Sequence, residues 1–275
     1  MERAAKKGGH LKGMLGAFLV LGILATACPG SQAQGATERG ANAAELPAVA
    51  KECGEAKLAD TPLPNSAQAL QQRKKLKILA IGASSASVVG PLREGSSPLL
   101  EQILEHTIKG LDVEIIDRGF SGELAAAAAT RLKIEVALNH PDIVLWQVGT
   151  NDALAQVPVE QFQEAVGDMV RWLKEHNIDV ILVGLHYMKR LVRDPHYQAI
   201  RTSLRSIAAK ENVPRITRYE AMEIISRAMR EPGRPVPSEF GLTEAGYNCM
   251  AQYVARAIAV GLYAKPPKTA PPPVR

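Results

Sequence analysis

Between residues 76 and 263, short apolar runs alternate with amphipathic segments, and this alternation restricts the chain to few folds. The runs with strand character are Leu76–Ile81, Val113–Ile116, Ile143–Val148, Val180–Val183 and, more weakly, Val213–Thr217. Helical patterns fill the gaps. After Pro158, the residues Val159, Phe162, Val166, Met169 and Leu173 recur every three or four positions, which makes one buried helix face. Pro158 is tolerated at the first turn of such a helix. Tyr247, Met250, Ala251, Val254 and Ile258 make a second face, with Thr243 as candidate N-cap. Short strands alternating with such helices imply a parallel sheet covered on both sides. Ligands of such sheets bind at the C-terminal ends of the strands. The residues just beyond each strand are therefore the informative ones.

Gly82-Ala83-Ser84-Ser85 follows the first strand and Asp117-Arg118-Gly119-Phe120-Ser121-Gly122 the second. Gly149-Thr150-Asn151-Asp152 follows the third, and Gly184-Leu185-His186-Tyr187 the fourth. Hydroxyls, an amide and small residues thus converge on one edge. A serine nucleophile needs a tight strand-to-helix turn, and N–H donors must face the oxyanion that develops on attack. Ser84, the Gly122 backbone N–H and the Asn151 amide have the right chemistry.

These blocks resemble the SGNH (GDSL-type) hydrolase family over residues 76–263. ILAIGASSAS is similar to its first block, RGFSG to its second and VGTND to its third; LTEAGYNCMAQYVARAI is similar to the stretch after the last. The resemblance implies a three-layer α/β/α flavodoxin-like fold with a central parallel sheet of about five strands. It also implies an exported bacterial ester hydrolase. Ser84 would be its nucleophile, with Gly122 and Asn151 as oxyanion donors. The sequence departs from the family in two places. The first-block Asp is replaced by Ala83. In the last block, Ser238 stands for the Asp and Gly241 for the His of Asp-x-x-His. The usual base and its orienting carboxylate are missing, and loss of the histidine in a comparable triad costs about a million-fold in turnover.

Of six histidines, His10 lies in the leader, His106 and His176 near helix ends, and His140 at the wrong edge of the sheet. His186 and His196 are on the ligand side. His186 is the replacement candidate, against the alternative of a plain polar residue on the cleft wall. Asp194 and Glu239 are candidate orienting carboxylates or solvated loop charges. No histidine clusters with other ligand types, and Gly82 and Gly90 lack the Gly-Lys-Ser/Thr ending of a phosphate loop. Neither a metal nor a cofactor is expected.

The flanks read differently. Basic residues 1–13 precede an apolar run at 14–27, too short for a membrane span and suited to a signal peptide. Leu24-Ala25-Thr26-Ala27-Cys28 resembles a lipoprotein box, so residues 1–27 are expected as a signal peptide. Cys28 is then a candidate lipid anchor, and a periplasmic or membrane-anchored envelope location follows. Residues 28–75 read as a linker and a polar approach to the first strand, and 264–275 as a Pro-rich tail. Export makes a Cys53–Cys249 bridge the expectation, against two free buried thiols. Of the net charge of +5, residues 1–27 carry +3. With no basic stripe and only 4% aromatics, nucleic acid is not an expected partner. Three functions compete: hydrolysis of a small-molecule or glycan ester, binding of an acyl or glycan group without turnover, and a structural lipoprotein.

Overall fold

The computed structural model describes residues 49–50, 53, 61–82, 89, 98–228 and 244–264. Five strands pair in parallel: β1 (Lys75–Gly82), β2 (Asp112–Gly119), β3 (Ile143–Gln147), β4 (Asp179–Val183) and β5 (Arg215–Ile216), in the order β2-β1-β3-β4-β5. Between and around them lie helices α1 (Pro64–Arg73), α2 (Leu99–Thr107), α3 (Ala125–Asn139), α4 (Thr150–Leu154), α5 (Val159–Glu175), α6 (Pro195–Glu211), α7 (Arg218–Ala228) and α8 (Glu244–Tyr263).

Successive strand residues face opposite sides. Leu76, Ile78, Ala80, Ile143, Leu145, Ile181 and Val183 pack against Leu100 and Leu104 of α2 and Met250, Val254 and Ile258 of α8. Leu79, Ile81, Val144, Trp146, Val180 and Leu182 pack against Leu132 of α3, Phe162 and Val166 of α5, and Ile200 and Leu204 of α6. Three layers result, as expected. The predicted face after Pro158 is that of α5, with Pro158 as its N-cap residue. Thr243, the candidate cap of α8, lies outside the described residues.

Residues 64–73 form α1 rather than the polar approach that their composition suggests. The reason is a long-range one. Asp179, at the start of β4, accepts hydrogen bonds from Ser66 N (2.8 Å), Ser66 Oγ (2.7 Å) and Asn65 Nδ2 (3.1 Å). A carboxylate thus satisfies the unpaired N–H groups of the first turn. Burial pushes the Asp179 carboxyl up, against these hydrogen bonds.

The expected cystine is formed. Cys53 and Cys249 are bonded, 196 positions apart, with Cα atoms at 5.4 Å. Around it, Tyr253 Oη donates to Cys53 O and Ala50 N donates to Gln252 Oε1 (2.7 Å), so α8 carries the N-terminal segment.

Candidate active site

The strand order reverses between β1 and β3. From β1 the chain moves outward to β2, then returns past β1 to β3. A crevice opens beyond the strand ends at such a point. Its floor is Gly82, paired in register with Gln147. Gly82 has φ +112°, and a Cβ there would lie 2.0 Å from Gln147 O. Only glycine brings β1 and β3 this close. Ser84 lies outside the described residues.

The loop after β2 folds back onto the same point, with Phe120 N donating to Gly82 O (3.0 Å). Gly122 follows, exposed, at φ +81° with nothing within 4 Å of where a Cβ would be. Asn151, in the first turn of α4, donates from Nδ2 to Glu123 O (3.0 Å). The two residues expected as oxyanion donors are therefore neighbours, and the amide retains a second N–H. The adjacent Asp152 turns inward. Its Oδ1 accepts from Ala125 N (2.9 Å) and caps α3, while burial raises its pKa.

His186 lies on the same edge. Its backbone N donates to Thr150 Oγ1 (3.0 Å), and its carbonyl accepts from Tyr197 Oη (2.6 Å). Burial pushes the Tyr197 phenol up to about 12, so it stays a donor. His186 Nε2 is 3.3 Å from Gln147 Nε2. An amide nitrogen only donates, so Nε2 presents its lone pair and the ring proton sits on Nδ1. Burial, then the Arg218 charge, holds the imidazole well below its ordinary pKa. At neutral pH it is an unprotonated base.

The remaining candidates fall elsewhere. Asp194 is the N-cap of α6, with Oδ1 accepting from Tyr197 N (2.7 Å), so it is a helix cap rather than a partner of His186. His176 stacks on Trp172, ring centroids 3.9 Å apart, and its Nδ1 is 2.7 Å from Trp172 O. Ser238, Glu239 and Gly241 lie outside the described residues. Among the described residues no cluster of three or more His, Cys, Asp or Glu could hold a metal. Sequence reasoning missed Gln147 and Thr150, which fix His186, and Arg218, which begins α7. Arg218 stands two positions beyond the short fifth strand, so its place at a strand end is the signal that could have found it.

The parallel five-stranded α/β/α fold is that of the SGNH hydrolase family. Residues 50–263 match the model of the non-GDSL lipase-like family, and the chain belongs to that family. An arylesterase of Vibrio mimicus is 29% identical over 111 residues, 40% of this chain and 54% of that protein. Esterase TesA of Pseudomonas aeruginosa is 26% identical over 116 residues, 42% and 57%. The chain thus spans little more than half the length of the curated relatives it matches. Among solved structures, TesA superimposes with a TM-score of 0.52 at 21% identity, covering 65% of this chain and 95% of that one. A lipase/acylhydrolase from Enterococcus faecalis gives 0.51 at 24%, covering 70% and 99%. These two likenesses concern the fold.

Proposed function

We propose that the protein is an ester hydrolase of the bacterial envelope, exported and held there through Cys28. Ser84 Oγ attacks the ester carbonyl. Gly122 N–H and the second N–H of Asn151 Nδ2 hold the oxyanion. His186 Nε2 takes the serine proton and returns it to the leaving alkoxide. The observation that carries this reading is the bond from Asn151 Nδ2 to Glu123 O, which brings the amide beside Gly122 at the reversal of strand order. The named activities of the arylesterase and TesA relatives agree with it.

A second reading is favoured by one contact. His186 Nε2 already receives the Gln147 amide, and Ser238 and Gly241 replace the family's usual pair. The base must give up this hydrogen bond before it can accept a proton, so turnover is impaired. In the limit, the crevice binds an acyl or glycan group without cleaving it. Hydrolysis of 4-nitrophenyl acetate by the wild type and by Ser84→Ala separates the two. Turnover that vanishes in the variant supports the hydrolase, and equal rates leave the binding protein. Mass spectrometry of the membrane fraction tests the anchor, which fails if Cys28 carries no lipid.

A further inference from the structure

Arg218 opens α7 directly behind β5, and its side chain is wholly buried. Its Nε, Nη1 and Nη2 have no hydrogen-bond partner among the described residues. A buried cation without a partner is costly, and a guanidinium offers five donors in a planar fork that matches a carboxylate. Two acids of the flanking helices pair with other groups, although Glu220 Oε2 also lacks a hydrogen-bond partner among the described residues. Glu220 Oε1 pairs with Arg201 Nη2 (2.9 Å) and lies 3.9 Å from Arg215 Nη2. Asp194 caps α6.

The position is that of a ligand group. Gly184 N donates to Ile216 O (3.1 Å), and a Cβ on Gly184 would lie 3.9 Å from Arg218 N. Arg218 therefore starts beside the β4 loop that carries His186. Its charge acts on His186 and on Tyr197. Arg218 follows β5, the strand next to β4, so it lies at the same C-terminal sheet edge as the loop that bears His186. The α7 N-terminus adds its own preference for anions.

We propose that Arg218 receives a carboxylate on the ligand of this crevice, so that the preferred esters carry an acid group on the acyl chain. The anion site stands on the unpartnered guanidinium; that its ligand is an ester rests on the hydrolase reading. Carboxylate and guanidinium meet as a bidentate pair, which fixes the chain relative to the carbonyl as well as binding it.

The test uses the full chain, succinate as probe and succinamide as its neutral counterpart, at constant ionic strength. Calorimetric titration is made on the wild type, Arg218→Lys and Arg218→Met. The expected result is binding of succinate and not of succinamide, with affinity falling at least ~10-fold in Arg218→Met and less in Arg218→Lys. The folding equilibrium of Arg218→Met should be unchanged or improved, since an unpaired buried charge is being removed. A ~100-fold or greater loss of folding equilibrium in that variant would show that the chain itself pairs the guanidinium, and would overturn the proposal. Equal affinities for succinate and succinamide in the wild type would overturn it independently of any variant. As a kinetic arm, Arg218→Met should raise KM for 4-nitrophenyl hemisuccinate by at least ~10-fold more than KM for 4-nitrophenyl butyrate, and an equal change in both would overturn the proposal. Arginine-dependent succinate binding without hydrolysis of either ester supports the anion site and refutes the hydrolase reading.

Discussion

The Cys53–Cys249 bond closes a loop of nearly the whole domain, and its contribution can be separated from the packing of its sulfurs. In the chain-entropy treatment, a closure over 196 positions restricts the unfolded chain by about 18 cal/mol/K, or about 5 kcal/mol at 25 °C. Both residues are core members, at 2% and 1% exposure, so replacing them with alanine also removes two buried sulfurs at about 1 kcal/mol each. Urea unfolding, followed by the fluorescence of the wholly buried Trp146, should then rank three samples. Oxidised wild type comes first. Reduced wild type, which keeps both sulfurs, lies about 4–5 kcal/mol below it. The doubly substituted Cys53→Ala/Cys249→Ala protein lies about 2 kcal/mol lower again. A gap under about 1 kcal/mol between oxidised and reduced wild type would refute the entropic argument and place the bond's effect in the native packing.

Gly82→Ala places a Cβ 2.0 Å from Gln147 O at φ +112°; it should destabilise by more than about 3 kcal/mol and abolish ligand binding, as read by thermal unfolding and titration. Asn151→Ala should lower kcat for an aryl ester by about 10²–10³-fold, with a stability change within about 1 kcal/mol. The His186 imidazole, held well below its ordinary pKa by burial, should titrate below the ordinary histidine range in an NMR titration. Because the unfolded chain binds that proton and the folded one resists it, stability should fall as pH drops below about 6.5, and His186→Gln should reduce this dependence. Asp179→Ala strands Ser66 N, Ser66 Oγ and Asn65 Nδ2, and should lower stability by about 2–4 kcal/mol in urea titrations.

The layers were legible because each central strand is a continuous apolar run and each large helix has a repeating face. Helix α1 was not, because its two buried residues are Ser66 and Ala69 and its start is held by an aspartate more than a hundred positions away. The fifth strand was weak in sequence for a visible reason: only Arg215 and Ile216 pair, against Leu182 and Val183, after a proline that cannot donate. In the crevice, Gly122 and Asn151 could be picked out because their short motifs come directly after strands. Partnership is the part that sequence could not supply. Asp194 reads like a candidate carboxylate until its bond to Tyr197 N is seen, and nothing in the sequence marks Arg218 as buried without a partner among the described residues.

The helix that bears Cys249 is the last described element of the chain, yet it covers the middle of one sheet face. During synthesis, Ile78, Ala80, Leu145 and Ile181 wait for it until residues 244–263 have emerged. Cys53 emerges 196 positions before its partner, so the bond can be made only after all five strands have been synthesised. A prematurely terminated product lacking residues 244–263 would present a bare apolar sheet and a reactive thiol together. Such a product would be a ready target for proteolytic quality control, because the cystine can form only on copies that carry the last described helix.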